Sequence, residues 1–306
     1  MKKEFYQKTI VVWFGALICC LLWGSAFPCV KIGYSLFGIT SSDTASQIFF
    51  AGVRFTFAGI LTVILGSIAS KKLLIPKRGS LSKIFRLSLM QTVGQYLFFY
   101  IGLARTAGVR ASIIDGGNTI FCILIAALIF RMEKITPGKL AGMIIGFAGV
   151  LCVTLTGGLT ADAGYLLGDI FILISALCYS MSSVFVKIYS RDESVAVLSG
   201  YQFIIGGLVL VVIGTAAGGS LPVVESTGIA MLVYLSFVSA VAYTIWGILM
   251  AHNPVSKVSV FGFMNPAFGV ILSAILLKEG SVINASTLIA LVLICISIVI
   301  INRKEE

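Results

Sequence analysis

The chain has 306 residues, 58% of them hydrophobic and only 11% charged, with a mean hydropathy of +1.07 and a formal charge of +10. A soluble domain is about 45–50% apolar and roughly 25% charged, so these few charges cannot solvate the surface, and a soluble enzyme, a secreted disulfide scaffold and a disordered chain are all excluded. An integral membrane protein remains, and 32 glycines against 6 prolines suit transmembrane helices that approach one another closely.

A transmembrane helix needs about 20 mostly apolar residues, and ten such stretches follow one another. The first, Thr9–Val30, comes after a basic MKKEFYQK start. It is longer than a signal-peptide core of about 7–15 residues and ends at Pro28 and Lys31 without a cleavage motif, so it reads as a retained helix. Gln47–Ile68, Leu87–Ala104, Ala111–Phe130 and Pro137–Leu155 complete the first half. The second half holds Tyr165–Val186, Ala196–Ala217, Ile229–Ala251, Val258–Leu277 and Ala285–Ile301. Strand-period alternation is absent, which argues against a β-barrel. The predicted class is an all-α integral membrane fold of ten helices.

Loop charges set the orientation. With the N-terminus inside, the cytoplasmic segments hold Lys2, Lys3 and Lys8, the basic 71–86 connector, Arg131, Lys134, Lys139, Lys187, Arg191, Lys257, Arg303 and Lys304. The other side holds only Lys31, Arg105, Arg110 and Lys278, beside Asp43, Asp162, Asp169 and Glu225. Both termini are therefore expected in the cytoplasm, and the basic balance reflects topology and anionic headgroups rather than nucleic acid. The seven cysteines lie in apolar runs and read as small buried hydrophobes. The lone His252 reads as an interfacial side chain, no Cys/His cluster has metal spacing, and no metal or cofactor is expected.

Self-comparison divides the chain at about 157/158. Arg54-Phe55, Gly59, Val63 and Gly66 in the second stretch match Gln202-Phe203, Gly207, Val211 and Gly214 in the seventh, each offset by 148. Trp23 and Val30-Lys31 match Tyr179 and Val186-Lys187, and Glu133 matches Glu279. Five helices per copy is an odd number, so residues 1–157 and 158–306 are expected to insert as inverted repeats. That is an architecture of secondary transporters, which bind substrate near the midplane between the copies.

LLWGSAFPCVK, the Arg54-Phe55 start, GDIFILISALCYSMSSVFVK and WGILMAHNPVSKVSVFGFMNPAFGVILSAILLKE resemble the drug/metabolite transporter superfamily, EamA-type, over nearly the whole chain. The resemblance implies ten helices in two EamA repeats, cytoplasmic termini and alternating-access transport of small organic solutes. Two positions depart from the family pattern: Ile120 stands where a proline matching Pro266 is common, and Tyr179 replaces a usual tryptophan. Strict equivalence of the halves is therefore not expected.

Arg54 and Asp115 are the ionisable residues well inside stretches, where a charge costs several kcal/mol. They are expected at similar depth, as an ion pair or as coupling or gating groups. Pro28 and Pro266 release the carbonyls of Gly24 and Gly262, and Gly116-Gly117-Asn118 aligns within one residue of Gly262–Asn265. Broken helices at matching places point to a substrate cavity, which makes Asn118 and Asn265 candidates. Gln91 and Gln95, like Tyr96 and Tyr100, share a helix face at i,i+4 spacing, with Tyr100 assigned to the interfacial belt. Tyr243, Trp246, Trp23, Ser25, Tyr179, Ser182 and Ser183 complete the cavity set. Gly138, Gly142 and Gly146 form a close-packing stripe that serves a contact within or between protomers, which leaves a homodimer open.

The predicted function is a bacterial inner-membrane secondary transporter, exporting small organic metabolites such as amino acids on a proton gradient or the substrate's own. No Walker motif supports ATP drive. The alternative is a membrane enzyme or lipid-handling protein acting on lipid-linked substrates. It lacks a nucleophile, base or metal cluster at an interface.

Overall fold

The computed structural model describes residues 2–40, 42–103, 114–155, 166–276 and 285–303. The 157/158 junction, Arg105, Arg110, Asp162, Lys278, Glu279 and Lys304, which the sequence reading invoked, lie outside the described residues. Every regular element described is helical. After a short helix, Lys2–Gln7, the rods are α1 (Thr9–Leu36), α2 (Thr44–Ser70), α3 (Leu81–Ser88, Leu89–Gly94 and Gln95–Leu103), α4 (Asn118–Leu124 and Ile125–Ile129) and α5 (Pro137–Leu155). They continue as α6 (Leu166–Tyr189), α7 (Val195–Ala216), α8 (Ser226–His252), α9 (Val255–Ser259, Val260–Phe263 and Met264–Leu276) and α10 (Ala285–Asn302).

Among the described residues, α1, α2, α6, α7 and α8 are each long and apolar enough to cross a membrane. Large apolar side chains stand exposed on several rods, including Ile68, Val212, Ile144 and Leu288. Helices satisfy their own backbone groups, so only their side chains meet the lipid, and an apolar exterior of this extent marks a multi-pass membrane protein.

α2 packs along α7 and α5 along α10. α1 lies against α8 and α9, while α6 lies against α3 and α4. Exchange each first-half rod for the second-half rod in the same position, and this set of contacts maps onto itself.

Glycine makes the α2–α7 seam. A Cβ on Gly52 would lie 2.5 Å from the Val211 nitrogen and 2.8 Å from the Gly207 carbonyl oxygen; one on Gly59 would lie 2.5 Å from the Gly200 carbonyl oxygen. From the other side, a Cβ on Gly207 would meet the Thr56 nitrogen at 2.5 Å and the Gly52 oxygen at 2.8 Å. Backbone touches backbone here, so any side chain would have to push the helices apart. The partner number falls as the α2 number rises, so the two helices run antiparallel and their glycines contact reciprocally. Each is N-capped by a short polar side chain: Asp43 accepts from the Ser46 nitrogen (3.0 Å) and Ser194 from the Val197 nitrogen (3.3 Å).

Two glycines of the fifth-helix stripe, Gly142 and Gly146, make a contact within the chain. Gly142 faces Ile301 and Gly146 faces Phe263 and Ser297, and the Ser297 hydroxyl donates to the Gly142 carbonyl (2.7 Å).

Helix breaks follow the sequence reading only in part. α1 runs unbroken past Pro28 to Leu36. There Gly24 marks the α1–α9 contact, since a Cβ would lie 2.5 Å from the Phe268 Cβ. α9 does break, with a 3₁₀ turn at Val260–Phe263 and Pro266 in the first turn of the segment that follows, where a missing N–H costs least. Two π-helical stretches, Leu89–Gly94 in α3 and Ile125–Ile129 in α4, have no signature in the sequence reading.

Candidate functional site

The rods bring one aromatic cluster to the middle of the bundle. α1 supplies Trp23, α2 Phe55, α3 Tyr96, α7 Phe203, and α8 both Tyr243 and Trp246. Trp23 meets Tyr243 and Trp246 edge-on, each at 5.1 Å between ring centroids. Phe55 lies 4.3 Å from Tyr96, and Phe203 meets Tyr243 at 5.0 Å. Such pairs contribute about 0.5–1.5 kcal/mol each beyond simple burial.

Two contacts in this cluster join residues at matching places in the halves. Phe55 and Phe203, 148 apart, stack on one another at 5.2 Å and 20°. Tyr96 and Tyr243, 147 apart, share a hydroxyl–hydroxyl hydrogen bond of 3.0 Å. Neither the Tyr96–Tyr243 match nor the Thr92–Ser239 match below was drawn from the sequence. Both pairs are offset by 147, one less than the 148 that relates α2 to α7, so α3 and α8 match only when the register shifts by one residue.

Arg54 lies beside the cluster and is 4% exposed. Its guanidinium carbon sits 4.8 Å from the Phe55 ring centroid, and Nη2 donates to the Ser239 hydroxyl on α8 (3.0 Å). Nε has no hydrogen-bond partner. The charge reaches the hydroxyls of Tyr34, Tyr96 and Tyr243. Gln202 holds the matching place in α7, where it accepts from the Thr92 hydroxyl on α3 (2.7 Å) and leaves its Nε2 without a partner. Thr92 and Ser239 are 147 apart, so one helix-to-helix tie is built twice, once with an amide and once with a cation.

The expected Arg54–Asp115 ion pair does not form among the described residues. Arg54 is held between α2, α8 and the Phe55 ring, whereas Asp115 is half-buried at the start of the α4 region, on the side of Tyr179. Tyr100, assigned above to the interfacial belt, is instead buried, 6.4 Å from Tyr96. The π stretch interrupts the regular turn between Gln91 and Gln95, and each keeps an unpartnered Oε1.

The remaining candidates divide. The Ser182 and Ser183 hydroxyls donate back to the Tyr179 carbonyl (2.7 and 3.1 Å). Ser25 turns outward to the Tyr234 hydroxyl (2.7 Å). Tyr179 is buried in the central core. Asn118 belongs to the meeting of two breaks: a Cβ on Gly262 would lie 2.7 Å from Thr119 Oγ1 and 3.8 Å from Asn118 Oδ1. The Asn118 carbonyl accepts from Ser180 on α6 (2.9 Å), and Asn265 keeps an unpartnered Oδ1. The indole nitrogens of Trp23 and Trp246 are unpartnered as well.

At one end of the bundle the halves are latched. Glu133, in the α4–α5 connector, accepts from the Val255 and Ser256 backbone nitrogens, the Ser256 hydroxyl and Lys139 Nζ (3.0 Å). Burial pushes its carboxyl up, but the hydrogen bonds from Ser256 and Lys139 outweigh this and hold it below the ordinary glutamate range. Glu193 accepts from the Lys77 nitrogen (3.0 Å), which ties the α6–α7 and α2–α3 connectors at the same end. At the other end the Val223 nitrogen donates to the Phe37 carbonyl (3.1 Å).

Two stretches, residues 10–155 and 166–303, each match the EamA-like transporter family. The chain is 25% identical to an uncharacterized transporter of Archaeoglobus fulgidus over 85% of its own length and 86% of that protein's. It is 25% identical to the uncharacterized transporter YvbV of Bacillus subtilis, over 94% and 90%. A chloroplastic WAT1-related protein of Arabidopsis thaliana is 23% identical, over 98% and 71%. A solved structure titled "Crystal structure of protein" superposes with a TM-score of 0.78 over 95% and 96% of the two chains at 17% identity, a likeness of fold.

Proposed function

Because this chain belongs to the EamA-like transporter family, we propose that it is a secondary carrier exporting a small organic metabolite, such as an amino acid, by alternating access. It is a membrane transporter and not an enzyme; the substrate class, direction and driving force are our reading. Ten spans form two inverted repeats, residues 1–157 and 158–306, in a bacterial inner membrane with both termini in the cytoplasm.

One observation carries the reading. The antiparallel, reciprocal α2–α7 seam, with Phe55 on Phe203 and Tyr96 on Tyr243, is what a two-fold axis in the membrane plane would produce. Inverted-repeat transporters hold substrate at such a crossing. The orphaned polar atoms of Trp23, Arg54, Gln95, Trp246 and Asn265 surround or flank it, and a buried polar atom without a partner costs about 1–3 kcal/mol until something answers it. Rocking of the halves would open the Glu133 latch on the cytoplasmic side and the Phe37–Val223 contact on the other. Asp115, half-buried near Tyr179, is the proposed proton-coupling group.

Purified protein in liposomes should move a labelled amino acid down its gradient, and Asp115→Asn should flatten the pH dependence of flux. With Val224→Cys and Leu73→Cys, an impermeant thiol reagent on intact cells should label only position 224. Labelling of both from outside would overturn the inverted topology. No flux for any solute in an amino-acid and amine panel would overturn the carrier reading.

A further inference from the structure

We infer that Arg54 is the anion-binding group of the central site and takes a carboxylate on the transported solute, while Trp23, Tyr243 and Trp246 wall its apolar body. This inference rests on the carrier reading above.

The first reason is the charge itself. Arg54 is 4% exposed in the interior of a membrane protein, and no carboxylate lies within ion-pairing distance of it among the described residues. One neutral hydroxyl and the face of Phe55 are what it holds. A cation at that depth ordinarily pairs with an anion or lines a pathway.

The second reason is the internal control. Gln202 performs the matching helix-to-helix tie with Thr92 while uncharged. Tethering α2 to α8 through Ser239 therefore does not require a cation, and the charge is left for another task.

The third reason is the sign of the unmet hydrogen bonds. Arg54 Nε, Trp23 Nε1 and Trp246 Nε1 are buried without partners and can only donate, while the unpartnered Gln95 Oε1 and Asn265 Oδ1 are acceptors for N–H groups elsewhere on the solute. Tyr243, within reach of the Arg54 charge, already shares its hydroxyl with Tyr96. The unmet donors, the guanidinium's own Nε among them, are answered by an acceptor-rich negative group. A carboxylate also matches the planar fork of arginine.

The test uses two probe pairs in which only the carboxylate differs: L-tryptophan with tryptamine, and L-leucine with isoamylamine. Apparent affinities come from the ligand dependence of thermal unfolding of the full-length protein in detergent. In the wild type, at least one acid should bind at least tenfold more tightly than its amine. Arg54→Gln should weaken that acid at least tenfold and leave the amine within twofold, and Arg54→Lys should fall between. A merely structural arginine would weaken both members of a pair alike, which would overturn the inference. Amines that match or exceed their acids on the wild type would overturn it too while leaving the carrier reading intact. Silence from all four probes counts against both. Should Arg54→Gln fail to fold, the wild-type ranking and Arg54→Lys still decide.

Discussion

The two halves build the same tie with different side chains. Thr92 donates to Gln202 between α3 and α7, and Arg54 donates to Ser239 between α2 and α8. Both ties are buried, with Gln202, Thr92 and Ser239 fully enclosed. Geometry that repeats while chemistry diverges separates what the fold needs from what one half has added: the fold needs a polar link between neighbouring rods, and the cation is the addition. In lipid such a link adds only modestly to stability, because the same groups find other partners when the helices are apart.

The comparison can be broken most forcefully by Gln202→Arg. A second buried cation beside the seam has no anion among the described residues, so the folded state should lose more than about 3 kcal/mol, read as loss of monodisperse protein on extraction or a collapse of the melting midpoint. A variant as stable as wild type would mean that both places tolerate charge, and the contrast would vanish. Thr92→Val is the next step down. It keeps the volume but strips the donor from Gln202 Oε1, so a loss of about 1–2 kcal/mol is expected, comparable to that of Ser239→Ala on the other side. The smallest effect is the sharpest. Arg54→Gln makes the halves alike, and the ligand-free protein should melt within about 1 kcal/mol of wild type, because the lost hydrogen bond is offset by the relief of burying an unpaired charge. A loss as large as that of Gln202→Arg would make Arg54 structural.

Much of the scaffold was legible because it depends on patterns that survive one at a time along the chain. The apolar runs predict the rods, and the 148-residue offset links Gly59 with Gly207 and Phe55 with Phe203 before any contact is known. What failed depended on directions in space. Arg54 and Asp115 were expected at similar depth, but depth does not specify azimuth, and their helices turn them toward different neighbours. Pro28 was expected to open α1, yet a proline removes one hydrogen bond and the rod continues past it. The π stretches arise from one extra residue absorbed in a turn, which leaves no mark in composition. Glu133 carried a mark, its charge at a helix end, but its partners Val255 and Ser256 lie more than a hundred residues away.

The stack of Phe55 on Phe203 has an evolutionary corollary. Under the two-fold axis proposed above, residues on the axis face their own equivalents, so a half-length ancestor pairing with a second copy of itself would have presented an isologous dimer face there. In that dimer every substitution appears twice. An arginine at the Arg54 position would have brought two unpaired cations into one small volume, a change selection would remove. Joining the copies into one polypeptide halves the dose of each new mutation, and a lone buried charge becomes affordable only after fusion.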